Sequence, residues 1–297
     1  MNILITGSSG FIGSSLVEKL RLEHNVFTID KNDTKGKLNK EHFICDLSDL
    51  SCLSSIEYPI DVVYHFGSAS SILSYKGREA ELADTEIKQF INILKFSQLK
   101  KVKKIIYPST ASLYSSNYPL KGNVLNPSNI YAAVKFTEEQ IAKYYNGKVK
   151  TLGLRIFMAY GPGEELKGIR ASPISLFIQD ILKGKSPIVY GDGTQTRDPI
   201  FIEDLTEILV NLLCKPAIIG VHDICTGNLI SFNDIISKIN MIASTNIRPT
   251  YISRPKSYIE GVSGDPSFAK KILSKEFTSV DEGMKSILKV YRAGIDR

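Results

Sequence analysis

The chain has little of what would tie it to metal, disulfide, membrane or nucleic-acid chemistry. It carries four cysteines, Cys45, Cys52, Cys214 and Cys225, and no two form a Cys-x-x-Cys pair. No histidine stands at metal-ligand spacing from them, so neither a zinc site nor a disulfide framework is indicated. They are expected to be reduced thiols acting as small hydrophobes. No apolar run approaches the length of a membrane span. The first strand is expected to begin at about the second residue, which leaves no room for a targeting segment and points to the cytoplasm. The net charge is only +6 in 297 residues. The densest basic patch, Lys95 with Lys100, Lys101, Lys103 and Lys104, reads as a solvated helix end, since a nucleic-acid stripe would need more charge and interleaved aromatics. A mild positive excess also suits a substrate that carries a diphosphate. No internal repeat, low-complexity tract or linker separates independent domains.

What is present begins with Gly7-Ser8-Ser9-Gly10-Phe11-Ile12-Gly13. It follows the apolar run Ile3-Leu4-Ile5 and opens a segment with helical periodicity at Ile12, Leu16, Val17 and Leu20. Strand, glycine turn, helix is the expected order. Glycine admits the turn's backbone angles and keeps side chains off an approaching ligand. The helix start offers unpaired N–H groups and partial positive charge to a pyrophosphate. The spacing, Gly-x-x-Gly-x-x-Gly, is one residue looser than the usual dinucleotide fingerprint.

A second strand, Asn25 to Ile29, ends in Asp30, where a dinucleotide fold hydrogen-bonds the adenosine ribose. A carboxylate there would repel a 2′-phosphate, which favours NAD over NADP. Residues 31–41 read as a polar loop. Phe43-Ile44-Cys45 reads as a short strand leading to Asp46-Leu47, a candidate adenine contact. Ser48 is placed to cap a short helix. Asp61 to Gly67 reads as a buried strand running into small residues, so that Gly67 would let the dinucleotide lie across the strand end. His65 is read as a structural strand-end residue. A helix over 79–99 and a strand from Lys104 to Tyr107 follow. Five strands alternating with helices predict an α/β, Rossmann-type doubly wound parallel sheet.

The fifth strand runs into Pro108-Ser109-Thr110-Ala111-Ser112-Leu113-Tyr114. Downstream, Tyr131-Ala132-Ala133-Val134-Lys135 opens a helix. Tyrosine and lysine four apart share one helical face. The ammonium would lower the phenol's pKa from about 10, and a phenolate can act as a general base on a hydroxyl. Thr110 could hydrogen-bond the same oxygen.

Together these residues resemble an extended short-chain dehydrogenase/reductase of the NAD-dependent epimerase/dehydratase family acting on nucleotide sugars. The resemblance covers nearly the whole chain. It assigns Gly7, Gly10, Phe11, Ile12, Gly13, Asp30, Asp46, Leu47 and Gly67 to NAD, and Thr110, Tyr131 and Lys135 to catalysis, the last two also meeting the cofactor. Arg155 to Gly163 is similar to the family's Arg-x-Phe-Asn-x-Tyr-Gly-Pro segment, with Met158 where a substrate-contacting Asn is usual. Gly191 to Asp198 resembles Gly-Asp-Gly-x-Gln-x-Arg-Asp, whose arginine, here Arg197, contacts the nucleotide diphosphate; a planar guanidinium suits two phosphate oxygens. Arg254-Pro255 resembles a second such arginine, though Lys256-Ser257 replaces the usual Gly-Asp. The implied division is an NAD-binding domain over 1–160 with 194–213 returning to it, and a smaller C-terminal α/β substrate lobe over 161–193 and 214–297. Val221 to Cys225 and a helix capped by Ser231 are expected in the smaller lobe. Helices near 79–99 and 131–145 resemble the pair that builds the family's homodimer.

The resemblance also orders the chemistry. Its 4,6-dehydratases carry Asp-Glu after the catalytic Thr, and its decarboxylases a Glu; here Ala111 and Ser112 can do neither job. What remains resembles a UDP-sugar 4-epimerase, in which Tyr131 takes the hydroxyl proton while the carbon gives its hydride to NAD. A 4-keto-sugar reductase and a non-catalytic dinucleotide sensor are the alternatives. Glu260-Gly261-Val262 falls where epimerases place a gatekeeper, and small residues imply room for N-acetyl sugars.

Overall fold

The computed structural model describes residues 1–32, 41–114, 125–255, 258 and 260–295. Residues 33–40 of the loop expected at 31–41, and the departure at Lys256-Ser257, lie outside them. The chain divides into two compact units: residues 1–113, 129–156 and 206–222, and residues 114–128, 157–205 and 223–297.

In the first unit, strands β1 (Asn2–Thr6), β2 (Asn25–Asp30), β3 (His42–Ile44), β4 (Val62–His65), β5 (Lys104–Thr110) and β6 (Lys150–Ile156) alternate with helices α1 (Phe11–Leu20), α2 (Leu50–Ser54), α3 (Glu79–Leu99) and α4 (Ile130–Tyr145). Their pairings are parallel, β1 lying between β2 and β4 with Thr6 opposite Ile29 and His65. With the edge strand β11 (Gly220–Ile224) the sheet reads β11-β6-β5-β4-β1-β2-β3. The switch in strand order beside β1 is the place where such sheets bind ligands at their carboxyl ends. The strands read as near-continuous apolar runs because both faces are covered. Leu4, Val63, Ile105 and Tyr107 pack with Phe90, Ile93 and Leu94 of α3 and Ala142 of α4. Alternation sends Ile3 and Ile5 to the other face. There Ser15 of α1 meets Thr206 (2.9 Å), and the Tyr64 hydroxyl donates to the Leu209 carbonyl (2.6 Å).

Three details differ from the sequence expectation. The short helix α2 is capped by Asp49, whose side chain accepts from Ser51 N, not by Ser48. Asp49 stands immediately before the first helical residue, and Ser48 one position too early to reach the free amides. Cys45 and Cys52 form a disulfide across a separation of seven residues, while Cys214 and Cys225 are free. The turn from β3 into α2 brings the first two together, which their spacing alone does not announce. Of residues 221–225, expected with the smaller lobe, 223–225 belong to the second unit and 221–222 to the first, and 221–224 lie in β11 on the edge of the large sheet.

In the second unit, β7 (Met158–Tyr160) pairs in parallel with β10 (Pro199–Phe201), β9 (Thr196–Arg197) antiparallel with β12 (Ile230–Ser231), and β8 (Ile188–Tyr190) in parallel with β13 (Thr250–Ile252). Helices α5 (Pro173–Leu182), α7 (Phe232–Ala243), α8 (Ser267–Leu273) and α9 (Val280–Ile295) complete it. Ser231 caps α7 as expected, accepting from Asp234 N. Helix α6 (Ile202–Asn211) starts in this unit, and the return to the first is 206–222, where 194–213 was expected. Residues 194–205 stay because β9 and β10 pair with β12 and β7. Among the described residues no helix is long and apolar enough to cross a membrane, and no acidic, histidine and cysteine cluster could hold a metal.

Candidate active site

The glycine turn between β1 and α1 is packed backbone against backbone. Gly7 has φ +65°, and a Cβ there would strike the Phe66 carbonyl. A Cβ on Gly13 would strike the Gly7 carbonyl oxygen and sit 2.9 Å from its carbon. Gly10 donates its N–H to the Gly7 carbonyl (3.0 Å) and is the N-cap of α1, with no side chain capping and no acidic residue in the first turn. Phe11 is buried and Ile12 half-buried at the helix start. An uncapped, acid-free helix start is the place for a pyrophosphate.

Asp30 closes the turn from the side, accepting from Ser9 N (3.0 Å) and Asn32 N (3.1 Å). Asp46 accepts from Ser48 N (2.8 Å), and this bond and the Ser48 hydroxyl hold its carboxyl below the usual range. Leu47 is buried, its Cδ1 lying 2.8 Å from where a Cβ on Gly67 would stand. Gly67 in turn donates its N–H to the Thr6 hydroxyl (3.1 Å). The arrangement of bare helix start, collapsed glycine turn and flanking carboxylate fits a dinucleotide. Asn92 of α3, not singled out in the sequence, donates to the carbonyls of Leu47 and Ser48, each at 3.0 Å, and fixes the candidate adenine loop. Its position inside a helix with ordinary apolar periodicity gave no signal.

Thr110, Tyr131 and Lys135 come together on the same unit, all buried. Asn129 caps α4 through Ala132 N (2.9 Å) and so sets the turn that carries Tyr131. Burial raises the pKa of Tyr131; the Lys135 charge and a hydrogen bond from Thr110 pull the other way, and Glu138 and Glu86 raise it again. The net shift is upward, which corrects the expectation of a phenol below 10. The main reason is the burial of the phenol, and the carboxylates around Lys135 add to it. The Lys135 Nζ donates to both oxygens of Glu138 (2.9 and 3.1 Å) and lies 3.6 Å from Glu86. Burial would lower the lysine's pKa, but these carboxylates and Tyr131 raise it above its usual value. His65 is buried and shares a hydrogen bond of 2.9 Å with Thr6, and burial and the Lys135 charge push it down to about 3. It is therefore a neutral, structural histidine, as its strand-end position implied.

Behind the Ser109–Thr110 strand end, Glu139 accepts from Ser109 (2.5 Å) and takes the Arg155 guanidinium in a bidentate pair (2.9 and 2.8 Å). This pair, buried on the Glu139 side, ties α4 to β5 and β6.

The second unit holds the other candidates. Arg197 lies over the rings of Phe232 (5.2 Å) and Tyr258 (5.8 Å) and donates to the Thr196 carbonyl (2.7 Å). Burial lowers its pKa, opposed by Tyr258; a guanidinium remains charged even so. Arg254 is bound by Asp192 (2.7 Å) and Glu260 (2.6 Å) with its side chain about one-third exposed at 32%. Met158 offers no polar side chain; its N–H donates to the Asp198 carbonyl (3.2 Å). The Asp198 carboxylate itself accepts from Thr226 N, Thr226 Oγ1 and Gly227 N, at 2.6 to 2.9 Å. Tyr114 donates to Asp223 (2.6 Å), and Val262 of the candidate gatekeeper stretch is buried. Phe232, Tyr258 and Asp223 were not legible as site residues, since each is remote in sequence from the motif it serves.

Known proteins match this architecture. A putative UDP-glucose 4-epimerase of Methanocaldococcus jannaschii is 32% identical over 251 residues, 80% of this chain and 81% of that protein. The structure of UDP-glucose 4-epimerase from Thermotoga maritima with UDP-glucose superposes with a TM-score of 0.90 at 25% identity, covering 99% of this chain and 100% of the other. That of a UDP-N-acetylglucosamine 4-epimerase from Methanobrevibacter ruminantium, with UDP-N-acetylmuramic acid, does so at 0.88 and 25%, covering 99% and 98%. The model of the NAD dependent epimerase/dehydratase family matches residues 3–224, and the chain belongs to that family.

Proposed function

We propose that the chain is a nucleotide-sugar 4-epimerase of the UDP-glucose and UDP-N-acetylglucosamine type, working through a 4-keto sugar. The observation that carries this reading is the buried Thr110, Tyr131 and Lys135 cluster beside a dinucleotide turn, with no acidic residue at 111 or 112. NAD supplies a reversible hydride acceptor at this site. Gly7, Gly10, Phe11, Ile12 and Gly13 hold its pyrophosphate, Asp30 its ribose hydroxyls, and Asp46 and Leu47 its adenine, while Gly67 keeps the strand end open. Tyr131 removes the proton of the 4-hydroxyl and later returns it, and Thr110 holds that oxygen. Lys135 keeps positive charge beside the phenol. The aromatic-backed Arg197, with Arg254, takes the diphosphate through paired N–H donors. Met158 leaves the sugar one polar contact short of the usual family set.

On this reading the first unit binds NAD and the second binds the nucleotide sugar, with UDP as the nucleotide. The small residues at Gly261 and Val262 support room for an N-acetyl group. A cytoplasmic homodimer, paired through α3 and α4, goes with the same reading. Neither nucleic acid nor membrane enters it.

The test is incubation of purified protein with UDP-glucose, UDP-N-acetylglucosamine and UDP-glucuronate, without added cofactor, following the sugar proton at carbon four by NMR. Inversion with no net NADH change is expected. Stoichiometric loss of NADH with a ketosugar would point to a reductase instead. No inversion of any of the three overturns the proposal.

A further inference from the structure

The Lys135 ammonium is buried between carboxylates from two different helices. Glu138 lies one turn along α4, and Glu86 projects from α3; the side chains of Lys135, Glu138 and Glu86 are 2%, 2% and 5% exposed. Two carboxylates around one ammonium in a dry site are tolerated only where their remaining oxygens are satisfied. Glu86 meets that need with the Ala69 N–H, at 2.9 and 3.0 Å from its two oxygens. Glu138 spends both oxygens on Lys135.

This placement matters because Lys135 is the charge meant to favour the phenolate of Tyr131. An ammonium already matched by carboxylates offers its neighbour less. We propose that Glu138 is a positioning residue for Tyr131: with Glu86 it holds the Lys135 ammonium in place and offsets its charge, so that the phenol keeps its proton until the reaction draws it off. The inference rests on the reading of Tyr131 as the base.

The surrounding groups bear in the same direction. Burial raises Glu138 up to about 7 against the pull of Lys135, so its charge changes near neutrality. From α4, Glu139 also faces it but is matched by Arg155. His65 from β4 is neutral. Tyr75, after the 3₁₀ turn Ile72–Ser74, stands 6.0 Å from the Tyr131 ring, and burial first and then Glu86 raise its pKa, so it too is an uncharged phenol. Glu138, bonded to Lys135 through both its oxygens, is the nearest negative charge to the ammonium. The sign follows directly. Removing its negative charge strengthens the positive field at Tyr131, and the phenol's pKa falls.

The experiment is a titration of phenolate ultraviolet absorbance in the purified protein, each background corrected by its own Tyr131→Phe partner, so that Tyr131 alone is read. Glu138→Gln is expected to move the Tyr131 step down by about one pH unit, roughly tenfold more phenolate at a given pH below it. Glu138→Asp keeps the charge and should restore the wild-type position. Glu86→Gln should shift the step in the same direction as Glu138→Gln. In turnover, the acid limb of kcat should move down in Glu138→Gln with KM little changed. A folded Glu138→Gln whose Tyr131 step stays put or rises overturns the proposal. If that variant does not fold, an unmoved step in Glu86→Gln overturns it as well. The titration needs no sugar, so a protein that epimerises nothing still decides the matter.

Discussion

Gly13→Ala is the sharpest test of the cofactor turn. The new methyl would meet the Gly7 carbonyl oxygen, the Gly7 carbonyl carbon at 2.9 Å and the Ser8 Cα at 3.1 Å. All of these are backbone atoms, and no rotamer can swing away. Carbon–carbon contacts relax at about 3.5 Å or more, and the carbonyl oxygen lies nearer still, so the turn must open by about one ångström. Overpacking of that kind costs about 1–3 kcal/mol in stability. The larger effect should fall on NAD. Opening the turn misaims the amides at the start of α1, and each hydrogen bond to a charged group lost is worth roughly 1.5–3 kcal/mol. The dissociation constant should therefore rise roughly 10- to 150-fold. Calorimetric titration with NAD measures it, alongside a thermal melt. Gly147→Ala is the control, since nothing lies within 4 Å of a Cβ there. A Gly13→Ala protein that binds NAD within about twofold of wild type would refute the argument that this turn is sterically sealed.

Tyr131→Phe should cut 4-epimerisation by roughly 100- to 10,000-fold with the fold retained, read by NMR and a thermal melt. Arg197→Ala should weaken UDP binding by roughly 10-fold or more in calorimetry, and Arg197→Lys should rescue it poorly, because an ammonium cannot lie flat on Phe232 and still bind two oxygens. His65, held near 3 against 6.5 when unfolded, stays neutral in the fold, so the unfolded chain binds the extra proton on acidification. Its stability contribution is present above pH 6.5 and is lost toward pH 3. Chemical denaturation across that range should show a slope of about 1.4 kcal/mol per pH unit that flattens in His65→Asn.

The sequence was most legible where a residue's role is set by its near neighbours. The run Ile3 to Ile5, the glycines after it and the periodicity of Leu16, Val17 and Leu20 announce strand, turn and helix within twenty residues. Tyr131 and Lys135 share a helical face whatever else the chain does. Their electrostatics were not legible in the same way. Glu138 is one turn from Lys135 and could have been placed beside it, but Glu86 arrives from α3, and without it the charge around the lysine is misjudged. The aromatic backing of Arg197 by Phe232 and Tyr258, the Tyr114–Asp223 bond and the Cys45–Cys52 link all depend on where distant segments meet. The sheet that β11 joins was not legible for a related reason: an edge strand has the pattern of any short strand, and only its partner β6 says where it pairs.

Asp30 bears on redesign. Its carboxylate answers Ser9 N inside the glycine turn as well as Asn32 N after the strand. A change of cofactor preference is usually sought by removing the negative charge that repels a 2′-phosphate. On the proposed placement of NAD, an Asp30→Ala protein would lose a brace of the glycine turn in the same stroke, and should bind both dinucleotides poorly. Asp30→Asn keeps an acceptor for Ser9 while discarding the charge. The route to an NADP-accepting version of this enzyme therefore runs through an uncharged acceptor at position 30, with the new cation supplied from elsewhere.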